Sequence, residues 1–290
     1  MKILVTGYSG FSGHKIATFL SLHGHDIYVV VRRQSLPCNH EAKHRNINLI
    51  VSDLNSTHLF PPAIDAVVHA AAISPFAGIL LKDYVDSNII GTQNILDYAK
   101  KAGAHTFIYF SSLSIYGDIN SSIVNPDTQI NNPNIYGLSK LMGELIVKDY
   151  ILNFRSLSIR LPGIIGPNSV RNWLTKCKEK VRKNDPITIY NPNSLFNNAV
   201  HINDLSSFIL KLLLYKWDGA QSVTVGALDA IPLINVIETI VKGSGGNIGS
   251  IIIVTPPAKN SFLICNSKAL QLGYSPMGMQ IMAETFAQEV

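Results

Sequence analysis

Three side chains of this sequence have the types and the spacing that proton transfer requires. Tyr136 and Lys140 form a YxxxK pattern at the start of a predicted helix, so they share one helix face. A phenol with a pKa of ~10 is a poor acid or base at neutral pH, and a nearby ammonium favours its phenolate form. Ser112, in the segment FSSLSIYG, could donate a hydrogen bond to a substrate carbonyl or alkoxide. The YxxxK pattern alone is also typical of a solvated helix face, so its meaning depends on the motifs around it.

The segment TGYSGFSG places Gly7, Gly10 and Gly13 between the first predicted strand and the first predicted helix. In such a loop the first glycine makes a tight turn, the second lets the backbone approach a pyrophosphate, and the third lets the helix pack on the strand. The helix N-terminus adds N–H donors and a partial positive charge. We therefore predict a dinucleotide-binding loop, with a purely structural turn as the alternative. The predicted cofactor contacts of the loop are Gly7, Tyr8, Ser9, Gly10, Phe11, Ser12 and Gly13.

The residues after the second predicted strand bear on the choice between NAD and NADP. An Asp or Glu at this place bonds the ribose 2′-hydroxyl of NAD, but here Arg32 and Arg33 follow the strand. Because a guanidinium forms paired hydrogen bonds with a phosphate, we predict that the cofactor is NADP, with NAD as the alternative. The two arginines could instead be solvated loop residues without a ligand. Asp53, in VSDL, is predicted to bond the adenine amino group, with a helix or turn cap as the alternative, and Leu54 is predicted to contact the cofactor.

Alternating strands and helices must position these groups. The predicted strands are nearly continuous in Val, Ile and Phe, which is typical of strands buried on both faces. They cover residues 2–6, 27–31, 48–51, 66–69 and 107–110, and the predicted helices follow Gly13 and cover residues 83–101 and 136–153. This alternation predicts an α/β fold with a doubly wound parallel sheet of the Rossmann type, whose ligands bind at the carboxyl ends of the strands.

Beyond Pro162 the composition changes, because glycine, proline and asparagine become frequent between short strands and two predicted helices over residues 170–183 and 205–215. We predict a dinucleotide-binding domain over residues 1–162 and a smaller substrate-binding lobe over residues 163–290, with the chain free to cross back to the sheet.

The composition excludes several classes of protein. Of the 290 residues 47% are hydrophobic and 15% charged, which excludes a disordered chain. The formal net charge is +5, but the basic residues form no long tract, so we predict no nucleic-acid partner.

No apolar run reaches the ~18 residues of a membrane span, and the N-terminus is typical of a strand entering a loop, not of a signal peptide. The 3 cysteines are too few and too scattered for a disulfide framework, so we predict a cytoplasmic protein. His23 and His25 lack further ligands nearby, so we predict no metal site.

Taken together, the motifs resemble those of the extended short-chain dehydrogenase/reductases. Within that family, the sequence is most similar to the nucleotide-sugar epimerase/dehydratase/reductase group. The segments that carry the resemblance are TGYSGFSG, HAAA (His69–Ala72), SNIIGTQNIL (Ser87–Leu96), FSSLSIYG, YGLSK and RLPGIIGP.

The resemblance implies specific roles. Tyr136 is the catalytic acid and base, Lys140 lowers its pKa and holds the nicotinamide ribose, and Ser112 orients the substrate. Further residues implied near the cofactor or bracing the site are Ala70, Ala71, Ala72, Asn88, Ser111, Pro162 and Gly163. His69 and His201 are expected to be structural histidines. Two long helices are expected to pair in a homodimer, as they do in relatives.

Departures from the family pattern reduce the number of reactions that we expect of this chain. Dehydratases of the group carry an acidic pair where this chain has Leu113 and Ser114, so we do not predict dehydration. Gly163 and Asn197 replace an asparagine and an arginine that commonly contact the substrate phosphates. The basic helix could substitute for them through Arg171, Lys176, Lys178 and Arg182, or could be a solvated face. The predicted substrate contacts are Ser112, Ser114, Asn197 and Arg171.

These observations lead to one main hypothesis and two alternatives. The main hypothesis is the NADP-dependent reduction of a keto group on a nucleotide-activated deoxysugar, with Tyr136 as proton donor. The first alternative is an NAD-dependent nucleotide-sugar 4-epimerase that uses the same residues. The second, of another class, is a catalytically silent cofactor-sensing or RNA-binding protein, against which the complete set of Ser112, Tyr136 and Lys140 argues.

Overall fold

The computed structural model describes residues 1–32, 46–254 and 261–289 and divides the chain into two compact units. The first unit consists of Met1–Asp118, Ile130–Arg160 and Ile209–Val223. The second consists of Ile119–Gln129, Leu161–Phe208 and Thr224–Val290. The boundary at residue 162 that the sequence suggested stays a prediction.

The first unit contains most of the strand and helix alternation expected from the sequence. In chain order its strands and helices are β1 (Lys2–Thr6), α1 (Phe11–Leu22), β2 (Asp26–Val31), β3 (Ile47–Val51), β4 (Ala66–His69), α2 (Leu81–Tyr84), α3 (Gly91–Lys101), β5 (Thr106–Ser112), α4 (Ile135–Asp149) and most of β7 (Arg155–Leu161). The end of α6 (Ile202–Leu214) and most of β12 (Ala220–Thr224) also belong to it.

These strands form a seven-stranded sheet in the order β12-β7-β5-β4-β1-β2-β3. The pairs of β1 with β2 and of β1 with β4 are parallel, with Ile3 opposite Ile27 and opposite Ala66. The strand order reverses at β1, so the carboxyl end of β1 lies at the switch point where ligands of open parallel sheets bind. The predicted doubly wound α/β fold is confirmed.

Apolar side chains on both faces of the sheet explain the stability of this unit. Ile3, Leu4 and Val5 of β1 are fully buried, as are Phe107 and Tyr109 of β5. Burial of one such side chain contributes about 1.5–3 kcal/mol to the free energy of unfolding. The central strands are therefore rigid supports for the loops at their carboxyl ends.

The helical segment between β4 and β5 is less regular than predicted. A π-helical stretch, Val85–Ile90, separates α2 from α3. Such wide helical turns are rare in proteins, and those that occur are often found at functional sites. Here the stretch carries Asn88, whose side chain is buried.

The second unit has small two-stranded sheets and its own apolar core. Its strands are β6 (Ile123–Val124), β8 (Gly163–Ile165), β9 (Ile187–Tyr190), β10 (Leu195–Phe196), β11 (Ala199–His201), β13 (Ile231–Pro232), β14 (Ile251–Val254) and β15 (Leu263–Ile264). Its helices are α5 (Trp173–Lys183), the start of α6, α7 (Leu233–Gly243), α8 (Ser267–Gln271) and α9 (Met279–Gln288). The helix expected from residue 170 begins at Trp173 because the Asn172 side chain caps it, accepting a hydrogen bond of 2.8 Å from the Thr175 N–H.

None of the helices within the described residues combines the length and the apolar character that a membrane crossing requires.

Candidate active site

The loop after β1 has no room for side chains at two of its glycines. Gly7 has a φ of +79°, and a Cβ there would lie 2.8 Å from the backbone of Ala70 and Ala71. A Cβ on Gly13 would lie 2.3 Å from the Gly7 carbonyl oxygen. The Gly10 N–H donates a hydrogen bond of 2.9 Å to that same oxygen and closes the turn. The loop is therefore a tight backbone cradle whose shape depends on glycine.

Helix α1 begins in this loop without a side-chain cap. Gly10 is its N-cap residue, and the first turn contains no acidic residue. The first N–H groups of a helix lack partners within the helix and carry a partial positive charge. In the same loop Tyr8 is buried and Ser9 and Gly10 are exposed, while Phe11 and Ser12 are partly buried. Among these residues the backbone offers hydrogen-bond donors suited to a phosphate.

The carboxyl ends of β2 and β3 carry the residues predicted to contact the adenosine half of a dinucleotide. Arg32 is exposed directly after β2, and Arg33 lies outside the described residues. Asp53 is exposed, and its Oδ1 accepts a hydrogen bond of 2.8 Å from the Asn55 N–H, which is the turn cap considered as its alternative role. Leu54 is partly buried and lies beside Gly91, where an added Cβ would be 3.1 Å from the Leu54 Cδ1. The cofactor contacts of these residues stay predictions.

The segment after β4 is held by a chain of buried hydrogen bonds. The Ala71 N–H donates to the Thr6 Oγ1 at 3.1 Å, and this oxygen lies 2.7 Å from the Nδ1 of His69. The Nε2 of His69 lies 3.0 Å from the Thr92 Oγ1. Burial and the charge of Lys140 lower the pKa of His69 to about 3, so the ring is neutral. His69 is therefore the structural histidine that the sequence predicted, and it fixes the partly buried segment Ala70–Ala72.

Asn88 connects this segment to helix α4. Its Oδ1 accepts a hydrogen bond of 2.7 Å from the Ile73 N–H, and its Nδ2 donates one of 2.9 Å to the Ser139 Oγ. The Ser139 hydroxyl in turn donates to the Tyr136 carbonyl at 2.8 Å. Asn88 thus braces the start of α4 against the end of β4.

Helix α4 lies unusually close to the turn that follows β5. This turn is a 3-10 helix, Leu113–Tyr116, and a Cβ on Gly137 would lie 2.1 Å from the Ser114 carbonyl oxygen. The helix itself begins after Asn134, whose side chain accepts a hydrogen bond of 2.8 Å from the Gly137 N–H. The absence of a side chain at Gly137 therefore allows Tyr136 to reach the end of β5.

The Tyr136 hydroxyl forms hydrogen bonds with the side chains of Ser112 and Ser74. The Ser112 Oγ also accepts a hydrogen bond of 3.1 Å from the Ser114 N–H, which leaves the Ser112 O–H free to donate to the phenol oxygen. Ser74 was not predicted, because nothing in the sequence around it marks a site. The structure thus brings Tyr136 and Ser112 together and adds a second serine.

Burial controls the protonation of the predicted catalytic pair. Burial raises the pKa of Tyr136, and the hydrogen bonds of Ser112 and Ser74 oppose that rise. The lowering of this pKa by Lys140, which the resemblance implied, stays a prediction. Burial also lowers the pKa of Lys140 to about 7, and Glu144 opposes that change.

Lys140 is nearly fully buried, with its Nζ 4.1 Å from the centre of the Tyr109 ring. Within the described residues the Lys140 Nζ contacts this ring face and has no hydrogen-bond acceptor. A buried ammonium has three donors to satisfy, and the hydroxyl groups of a ribose are suitable acceptors. The buried Ser111 Oγ also lacks a partner among the described residues. The glycine cradle and these donors fit a bound dinucleotide.

The remaining predicted residues are distributed over both units. Ser114 is partly buried in the turn after β5, and Pro162 and Gly163 are partly buried in the second unit. Arg171 is exposed, with a φ of +68°.

Asn197 is buried in the second unit, where its amide pairs with the backbone N–H and carbonyl of Ile264, both at 2.9 Å. The Lys178 ammonium, considered as a phosphate contact, donates to the carbonyls of Phe286 and Glu289 and so caps α9. The substrate contacts predicted for Ser114, Asn197 and Arg171 stay predictions, as do the cofactor contacts of Pro162 and Gly163.

Comparisons with known proteins place the chain in a wider context. The model of the NAD dependent epimerase/dehydratase family matches residues 3–226. Protein CapI of Staphylococcus aureus is 26% identical over 249 residues, which are 76% of this chain and 73% of CapI. A UDP-glucose 4-epimerase of Erwinia amylovora is 24% identical over 284 residues, or 86% of this chain and 84% of the relative. The crystal structure of UDP-glucuronic acid 4-epimerase from Bacillus cereus in complex with NAD shares the fold with a TM-score of 0.83, at 23% identity and 99% and 96% coverage of the two chains.

Proposed function

This chain belongs to the NAD dependent epimerase/dehydratase family, and we propose that it inverts the configuration at C4 of a nucleotide-activated sugar with NAD as cofactor. Membership makes the chain an NAD(P)-dependent enzyme of the extended short-chain dehydrogenase/reductase type. The observation that carries the proposal is the Tyr136 phenol, held by Ser112 and Ser74 in a fold shared with NAD-bound 4-epimerases.

The sequence favoured an NADP-dependent reductase and kept the 4-epimerase as the alternative. The names of similar proteins support the alternative, because they include a UDP-glucose 4-epimerase and an NAD-bound UDP-glucuronic acid 4-epimerase. Dehydration remains unsupported by the residues at 113 and 114, which are Leu and Ser.

The reaction follows from the chemistry of the site. A bound NAD would supply a hydride acceptor and donor for C4, and inversion requires that the hydride return to the opposite face of the ring. The phenolate of Tyr136 accepts the proton of the C4 hydroxyl in the first half of the reaction and gives it back in the second. The Ser112 hydroxyl hydrogen-bonds to the same oxygen and lowers the energy of the developing charge. Since the hydride and the proton both return to the sugar, no other reductant is needed.

Lys140 keeps Tyr136 competent for this exchange. Burial favours the neutral phenol, so an ammonium nearby is needed to stabilise the phenolate. The buried Nζ of Lys140 would also donate hydrogen bonds to the nicotinamide ribose. Gly7, Gly10 and Gly13 would hold the pyrophosphate through the backbone and the N-terminus of α1.

The proposal predicts that purified protein carries NAD and needs no added cofactor. Incubation with UDP-glucose, UDP-galactose, UDP-N-acetylglucosamine or UDP-glucuronic acid should give the 4-epimer, measured by anion-exchange chromatography. Acid release should recover NAD, not NADP, from the protein. A reductase would instead consume added NADPH with a 4-keto sugar and yield no epimer from these substrates. That result would reject the epimerase.

A homodimer is part of the proposal. Exposed apolar residues form one stripe along α4 at helical spacing: Ile135, Leu138, Met142 and Leu145, which are 43–51% exposed. Single exposed apolar residues are ordinary, but a stripe along one helix is typical of a helix-pairing surface. We propose that a second copy of the chain covers it.

Charge on this stripe should separate the two copies. The double substitution Leu138→Glu and Leu145→Glu is expected to give a monomer in light scattering coupled to gel filtration, because it buries two carboxylates at the interface. Leu152→Glu is the matched control, since Leu152 is 94% exposed beyond the end of α4. Equal masses for all three proteins would contradict the proposed interface.

The cytoplasmic location stays a prediction.

A further inference from the structure

A buried ion pair lies directly beside the proposed catalytic helix face. The Arg160 Nη2 is 2.7 Å from the Glu144 Oε2, and the Arg160 Nε donates to both carboxylate oxygens at 3.0 and 3.2 Å. Both side chains are at least nine-tenths buried, at 8% and 7% exposure. The Arg160 Nη1 donates a further hydrogen bond of 2.8 Å to the Tyr116 hydroxyl.

The pair joins the elements that carry the proposed catalytic residues. Glu144 lies one helical turn after Lys140, on the same face of α4. Tyr116 ends the 3-10 turn that begins directly after Ser112. Arg160, on β7, therefore links the helix of Tyr136 and Lys140 to the turn of Ser112.

Stability alone does not explain such a pair. Removal of two charges from water costs several kcal/mol per ion, and apolar residues of similar volume often serve as well or better. The neighbourhood supplies another reason, because burial lowers the pKa of Lys140 to about 7 and the charge of Glu144 opposes that change.

Other titratable groups around Tyr136 and Lys140 do not supply this negative charge. These groups are His69 on β4, Tyr84 on α2, Tyr109 on β5 and Tyr136 on α4. His69 is neutral, and burial raises the pKa of Tyr109 and of Tyr136, so both phenols are neutral in the resting protein. Among the described residues, Glu144 is thus the anion that acts on Lys140.

We propose that Glu144 is a positioning residue that keeps Lys140 in its ammonium form, and that Arg160 holds the Glu144 carboxylate in place. The proposal rests on the proposed function for its catalytic consequence, but the charge of Lys140 is measurable without substrate or cofactor. With a pKa near 7, a decrease of about one unit would reduce the ammonium fraction at neutral pH from about a half to about a tenth.

The test is the titration of Lys140 in the protein freed of cofactor. Protein labelled with ¹³C-lysine gives one Cε signal per lysine, and the Lys140 signal is assigned by its loss in Lys140→Met. Glu144→Gln alone leaves the Arg160 charge unpaired and is at risk of unfolding. The main variant is therefore Glu144→Leu with Arg160→Met, which removes both charges and retains volume. We expect its Lys140 midpoint to fall by about one pH unit, since the Glu144 charge that raises the pKa of Lys140 is removed, whereas the Arg160 charge removed with it is not among the influences on that pKa.

Tyr116→Phe is the matched control, because it removes one hydrogen bond of Arg160 and keeps both charges. Its Lys140 midpoint should equal that of the unmodified protein. An unchanged midpoint in the double variant would overturn the proposal. So would an equal shift in Tyr116→Phe, since packing and not charge would then be responsible.

Activity separates this proposal from the proposed function. In an active epimerase the double variant should lose about fivefold in kcat at neutral pH and have its pH optimum displaced downward, with little change in KM. If the unmodified protein epimerises no nucleotide sugar, the proposed function fails and the Lys140 titration still decides the role of Glu144. If it does epimerise but the Lys140 midpoint does not move, only the role of Glu144 fails.

Discussion

Tyr136→Phe should reduce kcat by about 10²- to 10⁴-fold, because the substitution removes the only group assigned to move the proton of the C4 hydroxyl. The phenyl ring retains the packing of the side chain, including its contact with the Tyr84 ring at 6.2 Å between centres. The Ser112 and Ser74 hydroxyls lose one partner each, which is a small cost for partly buried groups. We therefore expect NAD content and thermal stability close to those of the unmodified protein.

Tyr150→Phe is the matched control for this prediction. Tyr150 is the C-cap residue of the same helix, and its hydroxyl forms hydrogen bonds with Gln93 and Asp97. The control thus loses a comparable set of hydrogen bonds without touching the proposed site, and its turnover should be normal. Steady-state kinetics with the active nucleotide sugar and NAD content per chain are the measurements. Turnover of Tyr136→Phe within about tenfold of the unmodified enzyme would reject Tyr136 as the acid and base.

The sequence predicted the parts of the structure that depend on local patterns. The predicted bounds of β1 and β4, Lys2–Thr6 and Ala66–His69, agree with the structure because each is a short apolar run ended by small or polar residues. The YxxxK pair and the strand-end serine were also visible, because each belongs to one short motif. The glycine loop was visible for the same reason, because its three glycines lie within one short segment.

Features that depend on distant contacts were not predictable in this way. Glu144 and Arg160 meet because a helix and a strand pack together, and neither residue lies in a recognisable motif. The π-helical stretch of Asn88 has an ordinary helical composition, so the sequence indicated only a continuous helix. β12 is the seventh strand of the sheet but lies far along the chain, after α6.

The pKa of Tyr136 also depends on a feature that local sequence patterns do not contain, namely burial. Spacing places an ammonium near the phenol, but it contains no information on how deeply the phenol is buried. In the structure burial is the larger influence, and the two serines oppose it. Type and spacing therefore indicated candidate side chains, but not the balance between desolvation and hydrogen bonding at the phenol.

Gly13→Ala should reduce the affinity for NAD at least about tenfold and also lower the free energy of unfolding by about 1–3 kcal/mol. The new Cβ would lie 2.3 Å from the Gly7 carbonyl oxygen, 2.5 Å from the Gly7 carbonyl carbon and 2.9 Å from the Tyr8 nitrogen. All three are backbone atoms, so no flexible side chain can move aside. The loop or helix α1 must shift instead.

Helix α1 cannot retreat freely, because Ile16, Ala17 and Leu20 are fully buried. The loop must therefore deform, and with it the backbone N–H groups assigned to the pyrophosphate. Gly24→Ala is the control: its φ of +80° makes alanine strained there, but no atom lies within 4 Å of the added Cβ. It should lose stability by about 1–2 kcal/mol and retain NAD affinity. The measurements are NAD titration by calorimetry and thermal unfolding. If Gly13→Ala bound NAD as well as Gly24→Ala does, the loop after β1 would not be the pyrophosphate site, because its shape could not then determine binding.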